Sequence, residues 1–377
     1  MTWKDHAALL ANQVTRPMSR WRGPVSAIPR HLLVPRWWSY TGGAWTVNDG
    51  RADERAWMRR AYSDISLVTR VGPLHVDHAG PGDHPEGRPT SSSTLPGLVV
   101  NMFRHADIHD GMAVLDVGVG SGYGAALLAQ RLGDDQVTSI DVDPYLTKVA
   151  TERLAEIGLW PAIVTCDATG PLPGEYDRIV ATVSVRPLPP SWLVALRPEG
   201  RLVTTIANAM VIVVADKTED GGAVGRVLWD RAGFMATRAG VDYEPALDGL
   251  ADRASAQDGE QIGPGRYPVT DVREAWELAS MLEVTAPGIE HRFNEDRDGL
   301  RTALMLHRDG SWARATGQRG DAPLVHQGGP RRLWDILDEI RQQWLIEGSL
   351  PVYGSKVLIS PSGEITLSRG RWRATIA

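Results

Sequence analysis

Several residue types and patterns that mark particular classes of protein are scarce or missing in this chain. Among its 377 residues Cys166 is the single cysteine, which excludes an intramolecular disulfide and a zinc site built from clustered cysteines. No apolar run approaches the roughly 20 residues that a membrane-spanning helix needs. The formal net charge of −6 gives no basic excess of the kind that nucleic-acid binding requires. The sequence therefore predicts no metal site, no membrane and no nucleic-acid partner, and it leaves the oligomeric state open.

What is present is typical of a folded globular protein. Hydrophobic residues make up 42% of the chain and charged residues 23%. A chain of 377 residues exceeds one ordinary domain, so more than one is expected. The first residues, MTWKDHAALL, place charged and polar side chains where a signal peptide keeps an apolar core. We therefore expect a cytoplasmic protein.

The middle of the chain alternates between strand and helix patterns. Short apolar runs predict strands, Ala- and Leu-rich stretches predict helices, and Asp143 followed by Pro144 is a helix N-terminus. The predicted strands are 112–117, 136–142, 162–165, 177–183 and 201–206, and the predicted helices are 98–105, 123–132, 144–157 and 191–196. This alternation is typical of a doubly wound, Rossmann-like α/β sheet covered by helices on both faces.

The two ends of the chain follow other patterns. Residues 1–70 carry short amphipathic runs and residues 71–96 are rich in Gly, Pro, His and Ser, so we expect a helical segment and then a loop. A polar linker is predicted over 242–268, and hairpins are predicted at Asp309-Gly310 and Pro361-Ser362-Gly363. The predicted domains are 1–95, 96–243 and a C-terminal α+β module, 244–377.

A glycine-rich turn follows the first strand of the alternating region. It reads Gly118-Val119-Gly120-Ser121-Gly122, and glycines at alternate positions let a backbone turn tightly beside a ligand. About 20 residues later the next strand ends at Asp141, where an acid binds ribose hydroxyls in nucleotide-binding sheets. Asp167 follows the third strand. The predicted cofactor-binding residues are Asp116, Gly118, Val119, Gly120, Ser121, Gly122, Tyr123, Asp141, Val142, Asp167 and Ala168.

Two classes of cofactor bind beside turns of this kind. The dinucleotide pattern G-x-G-x-x-G fails when counted from Gly118, because Tyr123 occupies its last position. Counted from Gly120, Ala125 satisfies a variant of the pattern, but that frame begins too far from the strand end. No dehydrogenase constellation accompanies it. S-adenosyl-L-methionine (SAM), which leaves S-adenosyl-L-homocysteine as product, is the better fit.

A run of hydroxyl residues, Thr90-Ser91-Ser92-Ser93-Thr94-Leu95-Pro96, precedes the sheet. With Ile28-Pro29-Arg30-His31 and Ala61-Tyr62-Ser63-Asp64 upstream, the order of elements over about residues 20–215 resembles the protein-L-isoaspartate O-methyltransferase family. Members carry Thr-x-Ser-x-Pro here, and Ser92, Thr94 and Pro96 fall on those positions. The resemblance implies a class I SAM-dependent methyltransferase, with Asp141 as the ribose acid and Asp167 as an acid that contacts the adenine.

The resemblance also implies which residues handle the acceptor. The family's active-site hydroxyl falls on Thr94, so the predicted catalytic residues are Thr94, Ser93 and Ser92. The predicted substrate-binding residues are His31, Ser91 and Ser184, although a structural role for His31 remains the alternative. The sequence departs from the family where Ser and Thr are exchanged at positions 92 and 94, and at Leu95 and Ala168. These departures leave open which hydroxyl steers the acceptor.

The length of the chain is similar to that of an actinobacterial subset of the family associated with ribosomally made peptides, above all lanthipeptides, with lasso peptides and graspetides as relatives. That subset implies methylation of an ordinary aspartate in a cyclised precursor peptide, after which the ester closes to an aspartimide (a succinimide) that persists or hydrolyses to isoaspartate. An aspartate, with a pKa of about 3.9, is already an anion, so transfer needs alignment and desolvation rather than a base.

The module 244–377 is expected to grip such a peptide. It carries five of the chain's tryptophans, and aromatic side chains are frequent anchors of recognition surfaces. They are Trp276, Trp312, Trp334, Trp344 and Trp372. Two other functions remain open: repair of isoaspartate in aged proteins, and non-catalytic binding of SAM or of a peptide.

Overall fold

The computed structural model describes residues 1–237 and 245–376. Its α-helices are α1 Trp3–Val14, α2 Arg22–Ala27, α3 Arg30–Leu33, α4 Glu54–Ala61, α5 Pro96–His105, α6 Tyr123–Leu132, α7 Pro144–Glu156, α8 Pro190–Ala195, α9 Asp248–Ala256, α10 Trp276–Thr285 and α11 Leu333–Glu347. None of these described helices combines the length and the apolar character that crossing a bilayer requires.

The strands form three sheets. They are β1 Arg36–Thr41, β2 Ala44–Asp49, β3 Leu67–Val71, β4 Leu74–His75, β5 Pro89–Ser93, β6 Val114–Val117, β7 Val137–Asp141, β8 Ala162–Thr165, β9 Tyr176–Val185, β10 Leu196–Ile206, β11 Val211–Lys217, β12 Ala223–Arg231, β13 Gln261–Pro264, β14 Glu290–Glu295, β15 Leu300–Leu306, β16 Trp312–Gln318, β17 Leu324–Gly328, β18 Lys356–Ile359, β19 Ile365–Arg369 and β20 Trp372–Ile376.

The largest sheet has ten strands in the order β20-β19-β18-β12-β11-β10-β9-β6-β7-β8. The five strands from β10 to β8 run parallel, and the remaining neighbours pair antiparallel. The direction of winding reverses between β6 and β9, and ligands of doubly wound folds bind outside the carboxyl ends of strands at such a point. This arrangement confirms the predicted α/β class, and all predicted strands and helices between 98 and 206 are present.

Alternation along the buried strands builds one core on each face of this sheet. Leu115 of β6 and Ile179 of β9 belong to the core on one face, whereas Val114 and Val180 belong to the core on the other. Successive side chains of a strand point to opposite faces, so a strand covered on both faces is apolar at successive positions. Short, nearly unbroken apolar runs could therefore be recognised as strands from sequence.

The N-terminal region differs from the predicted helical segment and loop. Beside α1 to α4 it contains an antiparallel sheet of the order β2-β1-β3-β4, with β5 also paired to β3. The first four residues of the hydroxyl run lie in β5, in which Ser92 lies opposite Val68 and Ser93 opposite Leu67. Serine has little intrinsic preference for strands, and here the partner strand β3 decides the conformation.

The C-terminal region also differs from a separate module. The boundary at 243/244 lies outside the described residues, but β18 pairs with β12 and carries β19 and β20 into the large sheet. Between these parts β13 to β17 form a five-stranded antiparallel sheet. Both predicted hairpins are confirmed, and α11 ends at Glu347 just before Gly348, which has a left-handed conformation. The predicted linker, by contrast, contains α9 and β13.

We expect the last strands to be integral to the fold. Leu367 of β19 is fully buried in the core that also holds Leu115 and Ile179. Leu367→Ala should lower the free energy of unfolding by about 2–5 kcal/mol, because it removes buried methyl groups and leaves a cavity. Chemical denaturation measures this change, with Thr375→Ala on the exposed side of β20 as the control. A loss no larger than that of the control would mean that these strands are peripheral.

Candidate active site

A cavity of about 350 Å³ lies at the carboxyl ends of the parallel strands. One wall is the glycine turn, Gly118–Ser121, with the residues that follow β7 and β8. A second wall is β5 with the start of α5, and a third is the segment 233–237. The predicted residues that line this cavity are Ser91, Ser92, Thr94, Gly118, Val119, Gly120, Ser121, Tyr123, Asp141, Val142, Asp167 and Ala168. The fold thus brings most of the predicted residues together.

The glycine turn needs glycine because it passes close to two neighbouring segments. Gly118 has φ +101°, and a Cβ there would lie 2.9 Å from Cγ1 of Val183. Gly120 has φ +48°, and its Cβ would lie 3.0 Å from the carbonyl oxygen of Ser92 in β5. Both conformations disfavour a side chain, and both approaches leave no room for one. The turn therefore lies directly against β5, which we call the hydroxyl strand.

Two carboxylates at strand ends are held by nearby amides. Oδ2 of Asp141 accepts a hydrogen bond from the amide of Gly120 (3.2 Å), and its Oδ1 accepts one from the amide of Asp143 (3.1 Å). Asp167 Oδ1 accepts from the amide and hydroxyl of Thr169, at 2.8 and 2.7 Å. These bonds orient both side chains without the help of a ligand. Asp141 is in this way tied to the same turn whose shape the glycines permit.

Two predicted cofactor-binding residues lie outside the cavity. Asp116 is 1% exposed and accepts a hydrogen bond from Ser139 Oγ (2.7 Å), and burial raises its pKa to about 7. Gly122 precedes α6 with φ +83°, and a Cβ there would contact Ala150 and Leu154 of α7. Their assignment as contacts of the cofactor is corrected: Asp116 lies beneath the turn and Gly122 packs against a helix.

The hydroxyl strand presents only some of its side chains to the cavity. Ser91, Ser92 and Thr94 line it, whereas Ser93 does not. Ser93 is 1% exposed, and its Oγ accepts a hydrogen bond from Arg30 (3.3 Å). Successive side chains of a strand point to opposite sides, which separates Ser93 from Ser92. The Oγ of Ser91, two residues before Ser93, accepts a hydrogen bond from Thr69 (3.1 Å). The predicted catalytic role of Ser93 is therefore corrected to a structural one.

Arg30 is a residue whose role the sequence reasoning missed. Its guanidinium is completely buried and donates to five backbone carbonyls, those of Ala61, Ser63, Ile65, Ser93 and Thr94, at 2.8 to 3.2 Å. Burial lowers the pKa of Arg30 to about 10, so it stays charged at neutral pH. The same side chain thus joins the segment after α4 to the end of β5. An arginine beside Pro29 gave no local sign of this role.

His31 and Ser184, predicted to bind substrate, lie outside the cavity. His31 packs among Trp3, Trp57 and Tyr62, with its Nδ1 2.7 Å from the Tyr62 hydroxyl oxygen, and burial lowers its pKa to about 4. It is therefore a neutral core histidine, as the alternative interpretation held.

Ser184 instead holds the third wall of the cavity. Its amide donates to the Met235 carbonyl and its carbonyl accepts from the Thr237 amide, both at 2.8 Å. Its Oγ donates to the Phe234 carbonyl, also at 2.8 Å. These bonds fasten the segment 233–237 along the end of β9. The predicted contact of Ser184 with substrate is corrected to this positioning role.

The tryptophans of the C-terminal region are buried or half-buried. Trp334 is 1% exposed and Trp312 is 9% exposed. The others, Trp276, Trp344 and Trp372, are half-buried against the core that includes Leu367 and Leu337. Packing thus accounts for Trp312 and Trp334 and for the buried part of the other three, and the expectation that these rings anchor a peptide stays a prediction.

The walls of the cavity fit SAM. The glycine turn offers backbone without side chains, Asp141 stands where a ribose acid is needed, and apolar Val142, Leu146 and Ala168 flank the strand ends. Together with the sheet order and its reversal between β6 and β9, these features define a class I SAM-dependent methyltransferase.

Comparison with known proteins identifies the family. The family described as protein-L-isoaspartate(D-aspartate) O-methyltransferase matches residues 75–232. Protein-L-isoaspartate O-methyltransferase 2 of Archaeoglobus fulgidus is 28% identical over 224 residues, 58% of this chain and 85% of that protein. The Korarchaeum cryptofilum protein-L-isoaspartate O-methyltransferase is 30% identical over 219 residues, 54% and 82% of the two chains. Several further relatives are matched over less than two thirds of their own length.

A solved protein-L-isoaspartate O-methyltransferase structure aligns with all of this chain and 99% of its own, at 17% identity and a TM-score of 0.49. On the sequence matches, the chain belongs to the protein-L-isoaspartate O-methyltransferase family. It is accordingly a SAM-dependent protein carboxyl O-methyltransferase.

We expect Arg30→Lys to destabilise the fold and to disturb the wall formed by β5 and the start of α5, which we call the acceptor wall. A lysine keeps the charge but cannot reach five carbonyls, so buried acceptors lose their partners, at a cost of about 3 kcal/mol or more. Chemical denaturation measures the stability, and the KM for an acceptor peptide reports on the wall. Arg55→Lys on the exposed side of α4 is the control. Wild-type values for both quantities would show that β5 is held by other contacts.

Proposed function

We propose that this enzyme acts in the cytoplasm and methylates the side-chain carboxylate of an aspartate in a modified, macrocyclic ribosomal peptide. The proposal depends chiefly on one feature of the cavity. Among the described residues that line it, the titratable side chains are Tyr123, Asp141, Cys166 and Asp167, without histidine, lysine, arginine or glutamate.

These walls offer no side chain suited to deprotonate an acceptor. Burial raises the pKa of the Tyr123 phenol and that of the Cys166 thiol, so both stay protonated at neutral pH. Asp141 and Asp167 are oriented by backbone amides at the strand ends, where they would bind the cofactor rather than the acceptor. An alcohol or ammonium acceptor would need a base, whereas a carboxylate arrives as an anion. The cavity therefore favours carboxyl methylation.

The residues of this chain would position two partners. SAM supplies an electrophilic methyl group when bound. Asp141 would hold its ribose and Asp167 its adenine, while Ser92 and Thr94 would donate hydrogen bonds to the acceptor carboxylate from the opposite wall. Neutral donors orient a carboxylate without competing for the methyl group, and a closed wall excludes water. The segment 233–237 supplies that closure in this proposal.

An aspartate ester has a further reaction open to it. Methylation turns the carboxylate oxygen into a methoxide leaving group, and the amide nitrogen of the following residue can attack the carbonyl and expel methanol. The product is a five-membered aspartimide, which persists or takes up water to give isoaspartate. A tight ring in the peptide would hold that nitrogen near the carbonyl. The family match ends at residue 232, so the chain beyond it is available for recognising such a shape.

Repair of isoaspartyl residues is the second candidate function. It is favoured by the relatives, since the Archaeoglobus and Korarchaeum proteins bear the name protein-L-isoaspartate O-methyltransferase. The same walls would serve an isoaspartyl carboxylate, which is likewise an anion at neutral pH.

We expect Thr94→Val to slow methyl transfer by about tenfold or more while SAM affinity changes little. Valine keeps the shape of the side chain but removes a hydrogen bond to a charged group, a loss of about 1.5–3 kcal/mol. Single-turnover mass spectrometry measures transfer and calorimetry measures SAM binding. Ser92→Ala is the matched variant on the same wall. A wild-type rate for Thr94→Val with a slow Ser92→Ala would assign the steering hydroxyl to Ser92.

Matched peptides distinguish the candidate functions. We expect a cyclised peptide with an ordinary aspartate to gain a methyl group and then to lose methanol, and the linear peptide of the same sequence to react far more slowly. Isoaspartyl versions of both peptides are the comparison, and mass spectrometry follows each product. Preference for linear isoaspartyl peptide would establish repair instead. SAM binding without turnover on any of the four peptides would support a non-catalytic binder.

A further inference from the structure

An open groove of about 840 Å³ crosses the large sheet away from the active site. Its floor is the outer face of β12, β18 and β19, which lies beyond the C-terminal end of α5. Val224 and Leu358 on this floor are 45% and 54% exposed, whereas the opposite face of the same strands is buried in the core. The sheet thus presents an uncovered face with an apolar component.

The strand register places three cations in one row across this face. Arg226 of β12 lies opposite Lys356 of β18, Lys356 lies opposite Ser368 of β19, and Ser368 lies opposite Arg373 of β20. Directly opposed residues of antiparallel strands share a face with Cβ atoms about 5 Å apart, and like charges in such a pair are destabilising. Arg226 against Lys356 is a pair of this kind, and all three cations are exposed.

The nearby carboxylates are already engaged elsewhere. Asp216 pairs with Arg201 through two bonds of 2.6 and 3.0 Å, and Asp230 accepts from Asn101 and His105. Asp107 lies 3.2 Å from His109. Within the described part of the chain Arg226, Lys356 and Arg373 have no acidic partner, and this face is positive on a chain whose net charge is −6.

We propose that this face binds an acidic, extended peptide segment. Cations and apolar side chains alternate here at strand spacing, with Val224 two residues before Arg226 and Leu358 two residues after Lys356. An extended segment that alternates carboxylates with aliphatic residues matches both components. A nucleic acid would leave the apolar floor unused. A second copy of this chain is negatively charged as a whole, but net charge alone does not match a face on which cations and apolar side chains alternate at strand spacing.

The groove lies apart from the methyl-transfer site. Its rim includes Arg104 and His105 at the end of α5, while the first residues of that helix border the acceptor wall. Ten helical residues span about 15 Å. The inference rests on the sheet face and not on the proposed function, because binding at the groove is measured without methyl transfer.

The test uses a fluorescein-labelled peptide that alternates Glu with Leu, titrated with full-length protein and followed by anisotropy. Lys356→Glu replaces the repulsion with a cross-strand ion pair to Arg226, so its unfolding temperature should not fall. Its affinity for the peptide should fall by about five- to tenfold, the scale of one or two exposed ion pairs. Lys356→Arg should bind as the wild type does, and Arg319→Glu, on an exposed loop, is the control for net charge.

The salt dependence of binding and three comparisons distinguish peptide binding from the other possible uses of this face. Loss of binding as ionic strength approaches 1 M, where the Debye length is about 3 Å, supports the proposal. Equal binding by wild type and Lys356→Glu overturns it, as does the absence of binding. Tighter binding of a labelled single-stranded oligonucleotide than of the peptide would assign the face to nucleic acid. Self-association of the wild type that Lys356→Glu abolishes, measured by sedimentation, would assign it to a second copy.

Discussion

The buried guanidinium of Arg30 is the constraint on which the acceptor side of the molecule depends. A charge fully removed from water is tolerated only where it is well satisfied, and here backbone carbonyls from two distant stretches supply the acceptors. Those stretches follow α4 and end β5. Hydrogen bonds from this one side chain therefore fix the backbone of both stretches relative to each other, and with it the position of Ser92 and Thr94 at the cavity. An apolar residue at position 30 would leave these carbonyls unpaired.

A second constraint comes from backbone contacts around the cavity. The glycine turn packs closely against the carbonyl of Ser92, and Asp141 is tied to the same turn because it accepts a hydrogen bond from the amide of Gly120. Ser184 fastens the third wall to β9. The hydroxyl groups that line the cavity are therefore positioned by their neighbours. Ser93 contributes through its bond from Arg30, and Ser184 through its bonds to the backbone of 233–237.

The C-terminal strands extend the same sheet rather than standing beside it. Core residues of β6 and β9 share one cluster with those of β19 and of α11. Stability and the shape of the cavity's surroundings are thus linked to a part of the chain beyond the family match. The sheet extends past the helices that cover its parallel half, so the face that carries Arg226 and Lys356 is left uncovered.

The sequence by itself determined the cofactor half of the protein. Unbroken apolar runs, the glycine turn and Asp141 are local patterns, because strand burial and a tight turn each leave a signature within a few residues. α6 was predicted at its observed limits, and both C-terminal hairpins were found from their turn residues. The family could be recognised from the order of these motifs together with the hydroxyl run.

Only the tertiary structure decided the rest. That the hydroxyl run is a strand depends on β3, and whether His31, Ser93, Ser184 and Asp116 face a ligand or a packed interior depends on segments far away in sequence. The partition of 244–377 between two sheets followed from the pairing of β12 with β18, about 130 residues apart. Pairing of this kind and the burial of a single arginine are set by long-range contacts, which leave no periodic pattern in the residues themselves.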